Sequence, residues 1–186
     1  MTRVAAPVRV AIVTISDGVA AGTRHDTSGA AIAGWARARG FAVAEAFVLP
    51  DTQERIATEL TRIADAATAD VVITTGGTGL TERDVTPEAT LAVISRSVPG
   101  IAERIRAEGA NATPYAALSR GITGVRGTTL IVNLPGSTGG VRDGLRVLDD
   151  LIEHAVQLLR GIDTQRHDAP QGAQHDAPGG ARQHDG

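Results

Sequence analysis

The feature that most restricts this chain is an alternation of two hydrophobic periods. Short β-branched apolar runs are separated by stretches whose apolar residues recur every three or four positions. Val8–Ile15 is the first run and reads as a strand buried on both faces. Ser28–Arg39 reads as a helix, with Asp26 to Ser28 as capping candidates and Gly40 just past its end. Phe41–Leu49 is strand-like. In Gln53–Ala67, Ile56, Leu60, Ile63 and Ala67 fall on one helix face. Val71–Thr75 is a short β-branched strand that runs into Gly76-Gly77-Thr78-Gly79, and Thr86-Pro87-Glu88 is a helix start. A further helix is expected over Pro99–Glu108, stopping at Gly109. Ser119–Val125 and Thr128–Asn133 pair as a hairpin about Arg126-Gly127. A last helix is expected over Val141–Arg160, with Leu145, Leu148, Ile152, Val156 and Leu159 on one face. Strands alternating with helices imply an α/β fold in three layers: a mostly parallel sheet covered on both sides, with the hairpin adding one antiparallel edge strand.

This pattern fills residues 1–161, expected as one domain. Residues 162–186 change character and repeat His-Asp-Ala-Pro at His167–Pro170 and His175–Pro178. The segment reads as a low-complexity, disordered tail, although its His–Asp pairs also suit weak metal binding. The N-terminus lacks the apolar core of a signal peptide, and no stretch reaches the roughly 18 apolar residues of a membrane span. The expectation is a cytoplasmic protein with no membrane partner.

Composition then removes whole classes of chemistry. The chain has no cysteine, and all 18 basic residues are arginine. Thiolate nucleophiles, disulfides, cysteine zinc sites, Schiff bases and the P-loop lysine are therefore excluded. Aromatics at 2% and a net charge of -3 leave neither stacking platforms nor a basic field for nucleic acid. What remains is carboxylates, hydroxyls, histidine, arginine, backbone amides or a bound metal.

Ligands of an open parallel sheet bind beyond the carboxyl ends of its strands. Two glycine-rich loops fall at such ends: Thr74-Thr75-Gly76-Gly77-Thr78-Gly79, and Asn133-Leu134-Pro135-Gly136-Ser137-Thr138-Gly139-Gly140. Glycines let amide N–H groups turn to an anion, and a following helix N-terminus adds positive potential. Two such loops on one sheet edge point to a ligand bearing phosphate-like groups. Neither matches a dinucleotide or P-loop fingerprint. Asp51, Asp84 and the Ser16-Asp17-Gly18 turn fall on the same edge. Carboxylates beside a phosphate site call for a bridging cation, which Mg²⁺ supplies with one or two carboxylates, while Arg83 suits direct phosphate contact. The competing reading is structural. Asp51-x-x-Glu54 forms a good capping box, Asp84 suits support of the helix at Pro87, and Ser16-Asp17-Gly18 suits a plain turn. Arg24, His25 and Asp26 lie on a loop able to fold over the edge. His154 falls within the last helix, and Ser137 has no histidine partner for a triad.

These motifs together resemble the Mog- and MoaB-type molybdopterin-binding family. The matching segments are Thr74–Gly79, Arg83–Ala89 and Asn133–Ser137, with Ser16-Asp17, Asp26–Gly29, Pro50-Asp51 and Leu118–Gly121 beside them. The likeness covers residues 8–161. It implies a molybdopterin-binding fold assembled as a homotrimer, and adenylylation of molybdopterin by ATP with Mg²⁺, releasing pyrophosphate. It also implies that Asp51 and Asp84 are the catalytic acids: Asp84 holds the metal and Asp51 orients the metal or nucleotide. The ligand-binding set is Ser16, Asp17, Thr75, Gly76, Gly77, Thr78, Gly79, Arg83, Asn133, Pro135, Gly136 and Ser137. The family often has Pro-Lys after the second loop. Here Ser137 is followed by Thr138-Gly139-Gly140, so a cation there must come from Arg142 or another arginine. That departure keeps a second expectation open, a non-catalytic molybdopterin-binding or carrier protein of the same pathway. A third is a structural trimer whose glycine loops are ordinary turns.

Overall fold

The computed structural model describes residues 6–162; the low-complexity tail lies outside the described residues from 163 onward. Six strands form one sheet: β1 (Arg9–Ile15), β2 (Ala42–Leu49), β3 (Val71–Thr75), β4 (Arg96–Ser97), β5 (Thr123–Arg126) and β6 (Thr129–Leu134), in the order β2-β1-β3-β6-β5-β4. The first four in that order are parallel, and β5 runs antiparallel to both neighbours. The expected antiparallel edge is present. It is extended by β4, a two-residue strand without a sequence signal of its own.

Alternation along the strands divides the core. Val10 and Ile12 of β1, with Ile73, Val132 and Leu134, pack beneath α2 (Thr27–Ala38), α5 (Pro99–Ala110), α6 (Thr138–Asp149) and α7 (Ile152–Leu159). Ala11, Val13 and Ile15 face the other way, onto α3 (Gln53–Asp65) and α4 (Thr86–Leu91) through Ile56, Leu60, Ile63 and Ala89. The chain is therefore a three-layer α/β/α domain. Among the described residues no helix is long and apolar enough to cross a membrane.

The final helix differs from expectation. It starts at Thr138, with Ser137 as N-cap, and it breaks after Asp149. At the break, Trp35 Nε1 donates to Asp149 Oδ1 (2.7 Å), Arg39 Nη2 donates to the Asp149 carbonyl (3.3 Å), and the Leu151 amide bonds back only to Leu148 (3.1 Å). The Arg39 guanidinium, just past α2, thus takes up the Asp149 carbonyl at the break, and Trp35 of α2 holds the Asp149 side chain. The apolar stripe nevertheless continues across the break, so Ile152 and Val156 remain buried.

At the amino ends of the central strands, Asp70 is 6% exposed and accepts from the Arg9 amide (2.8 Å) and from both the Arg9 and Arg160 guanidinium groups (3.0 and 2.6 Å). Burial opposes ionisation of Asp70, but these hydrogen bonds outweigh it and hold the carboxyl down at about 2. This clasp ties β1, β3 and the end of α7 together, far along the strands from the glycine loops.

Candidate active site

β1 leads toward β2 on one side and β3 leads toward β6 on the other, so the strand order reverses between β1 and β3. That is the place where a crevice opens in such sheets. Both glycine loops meet there. Gly76 has φ +100 and Gly77 φ +62, a left-handed backbone that favours glycine. A Cβ at Gly76 would collide with the Ile15 carbonyl oxygen, and one at Gly136 would sit 3.2 Å from the Gly76 Cα. The loops are thus packed backbone against backbone.

Hydroxyls from neighbouring elements lock this arrangement. Thr75 donates to the Pro135 carbonyl (2.7 Å), Ser28 to the Gly136 carbonyl (2.8 Å) and Thr86 to the Gly76 carbonyl (2.9 Å). Thr86 therefore serves the loop, while the N-cap position of α4 falls to Val85. Asp26 caps α2 through the Gly29 amide (2.7 Å) and accepts from Thr14 (2.7 Å), which fixes the start of the 26–29 segment.

Neither acid caps its helix. The N-cap of α3 is Thr52, without a side-chain bond, and Asp51 turns instead to Asp17. The two make a reciprocal pair: Asp51 Oδ2 accepts from the Asp17 amide (2.8 Å), and Asp17 Oδ1 accepts from the Asp51 amide (3.0 Å). Arg83 donates to Asp17 Oδ2 through Nε (3.1 Å) and Nη2, which lowers the Asp17 pKa. Burial raises the Asp51 pKa, and the negative charges of Asp17 and Asp84 add to the rise. Asp84 Oδ2 accepts from the Thr81 amide (2.9 Å) and hydroxyl (2.6 Å), closing its own loop. Burial works against the Asp84 charge, yet these bonds prevail and its pKa is lowered. A Cβ at Gly79 would come within 2.8 Å of Asp84 Oδ2, so the glycine gives the carboxylate room. Arg120 braces this loop: its guanidinium donates to the Gly79 carbonyl (2.6 Å), to the Asp84 carbonyl and to Glu88.

Two cavities flank the joined loops. The smaller, of about 380 Å³, is lined by Ser16, Arg24, His25, Asp51, Thr75 and Gly76 among others. The larger, of about 630 Å³, runs past Thr78, Gly79 and Pro135 to an apolar wall of Leu80, Ile105, Tyr115 and Leu118. Gly77, Asp84, Gly136 and Ser137 line both. Asp51 and Asp84 thus share the smaller cavity, and both cavities fall within the usual span of ligand sites in volume.

Ser16 and Ser137 reach this edge, but their hydroxyls also cap α1 (Asp17–Ala20) and α6, accepting from the Val19 amide (3.3 Å) and the Gly140 amide (3.2 Å). Asp17 and Arg83 line neither cavity and act on the edge only through Asp51. Asn133 is not brought to the edge. It is 2% exposed, and its carboxamide donates to Thr74 and Thr90 (3.0 Å each) and accepts from the Ile122 amide (3.2 Å). Arg142 lines neither cavity, and His154 is exposed on α7. Of the apolar wall, only Leu118 lies in a segment that the family resemblance marks; Leu80, Ile105 and Tyr115 come from separate stretches with no shared periodicity that singles them out.

Among the described residues no three carboxylates or histidines cluster as a closed metal cage. The donor set still fits a hard divalent cation completed by substrate oxygens: two acids, Asp51 and Asp84, on the wall of one cavity.

Residues 11–154 match the family described as "Probable molybdopterin binding domain". The chain is 34% identical over 168 residues to the molybdopterin adenylyltransferase of Escherichia coli K12, covering 82% of this chain and 86% of that protein. It is 43% identical over 112 residues to the molybdenum cofactor synthesis protein cinnamon of Drosophila melanogaster, covering 60% of this chain and only 19% of that longer protein. The crystal structure of the molybdopterin biosynthesis enzyme MoaB from Thermus thermophilus superposes with a TM-score of 0.78 at 45% identity, covering 83% of this chain and 97% of that one.

Proposed function

The chain belongs to the molybdopterin-binding domain family, and from that membership we propose that it is a molybdopterin adenylyltransferase of molybdenum cofactor biosynthesis, working in the cytoplasm where ATP is supplied. The similarity to the Escherichia coli enzyme supports the activity. The observation that carries the reading is the pair of cavities meeting at Gly77, Asp84, Gly136 and Ser137. Two ligands seated in them bring their phosphates together on that shared rim.

The reaction asks little proton chemistry of the protein. The terminal phosphate of molybdopterin is largely ionised at pH 7. Its oxygen attacks the α-phosphorus of ATP, the bond to the bridging oxygen of the β-phosphate breaks, and pyrophosphate leaves. The need is alignment and neutralisation of crowded negative charge. The N-terminus of α6 opens at Ser137, on the rim where both loops meet, and supplies a fixed dipole there. Thr75, Ser28 and Thr86 hold those loops together, so the rim does not reorganise during transfer. Asp51 and Asp84 are the residues that would hold Mg²⁺. When bound, it withdraws charge from the phosphates.

The test is purified protein with molybdopterin, Mg²⁺ and labelled ATP. Pyrophosphate release dependent on molybdopterin is expected. Asp84→Asn is expected to lose at least tenfold in rate, a barrier increase of about 1.4 kcal/mol; unchanged turnover would refute its role. Tight pterin binding with no pyrophosphate release in the wild type selects the carrier reading instead. A homotrimeric assembly, implied by the resemblance, is proposed alongside and is read directly by sedimentation velocity.

A further inference from the structure

The charge inventory of the smaller cavity is unbalanced. Its wall carries three carboxylates, Asp26, Asp51 and Asp84. Nearby cations are already spent: Arg83 on Asp17, and Arg120 on Glu88 and two carbonyls. Arg24 is different. It lines the cavity, and its guanidinium makes no hydrogen bond or ion pair with a described residue.

The position of Arg24 is nonetheless fixed. Its amide donates to the Gly18 carbonyl (3.1 Å), as do the Thr23 amide and hydroxyl (2.9 Å each). Its aliphatic stem lies over Gly18, where an added Cβ would stand 2.8 Å from the Arg24 Cδ. The glycine therefore leaves the space that lets the stem cross α1, and Arg24 reaches the cavity wall with its guanidinium unpartnered among the described residues.

We propose that Arg24 is a substrate-binding residue that grips the triphosphate of the nucleotide in the smaller cavity. The inference rests on the adenylyltransferase reading and deepens it. A planar guanidinium suits two phosphate oxygens at once. The two acids on the same wall suit a divalent ion shared with a polyphosphate, which places the triphosphate in this cavity and the pterin in the larger one. Arg24 thereby fills the place of the cation missing after the second glycine loop, from an element more than 100 residues away in sequence.

The test compares wild type, Arg24→Ala, Arg24→Lys and Gly18→Ala in two assays: MgATP titration by calorimetry, and pyrophosphate release with ATP and molybdopterin varied separately. Arg24→Ala is expected to raise both the MgATP Kd and the KM for ATP by about tenfold, equivalent to about 1.4 kcal/mol, and to leave the KM for molybdopterin within twofold. Arg24→Lys is expected to fall between, and Gly18→Ala, which displaces the stem without removing the charge, to shift the same constants by a smaller factor. An unchanged Kd and KM for ATP in Arg24→Ala, with the wild type turning over, overturns the proposal alone. A rise confined to the KM for molybdopterin overturns the assignment to the nucleotide. A wild type that binds no MgATP removes the proposal together with the reading beneath it.

Discussion

The Asp70 clasp permits a quantitative test of what holds the sheet together. Replacing Asp70 with Asn keeps the shape and removes the charge that Arg9 and Arg160 share. The native carboxyl is held at about 2, against an ordinary value of 3.8. That difference corresponds to about 2.4 kcal/mol at 1.36 kcal/mol per tenfold change in proton affinity. The Arg9 side chain is 43% exposed, so solvent screening reduces the expected contribution to about 2 kcal/mol. The folded-state pKa lies below the unfolded one, so protons bind more tightly to the unfolded chain. The stabilisation is therefore complete above about pH 5 and is lost as pH falls from near 4 toward 2. Urea unfolding of both proteins across pH 2–7 checks this, because other acids titrate alike in both and cancel in the difference. The expected gap is about 2 kcal/mol at pH 6, or roughly 4–8 °C in Tm for a domain of this size, shrinking toward its residual value at pH 2. A gap that stays constant between pH 6 and pH 2 would refute the electrostatic account.

Other perturbations address the opposite end of the strands. Gly76→Ala forces a side chain into a left-handed backbone and against the Ile15 carbonyl; a loss of about 3 kcal/mol or more by thermal or urea unfolding is expected, and a loss under 1 kcal/mol would contradict the close approach of the loops. Asn133→Ala strands the Ile122 amide and the Thr74 hydroxyl in the sheet, and is expected to cost about 2–4 kcal/mol. Wild-type-like stability there would mean that those bonds contribute little. In a ¹³C NMR titration the Asp51 carboxyl is expected to titrate above 3.8, because burial and the charges of Asp17 and Asp84 oppose its ionisation. Asp84→Asn should bring it down only slightly, since burial dominates; a titration below 3.8 in the wild type would show that the Asp17 amide prevails.

The sequence alone determined the layered α/β fold and the places where its loops fall. Strand and helix periods are written in contiguous residues, and a run such as Val71–Thr75 followed by Gly76-Gly77 states both a buried strand and its abrupt end. It also determined the classes of chemistry available, since the absence of lysine and cysteine holds in any fold. Which side chains reach the edge was settled only by tertiary contact. Asp51 has the spacing of a capping box, yet it joins Asp17, 34 residues earlier, because β1 and β2 end side by side. Asn133 sits in a loop motif but is drawn inward by Thr74 and Thr90. The last helix breaks where Trp35 of α2 and Arg39 just past its end reach it, and β4 exists only because β5 is beside it to pair with. Local hydrophobic pattern fixes what each segment becomes; hydrogen-bond partners come from whichever segment the packed sheet places nearby, and their separation along the chain leaves no periodic trace.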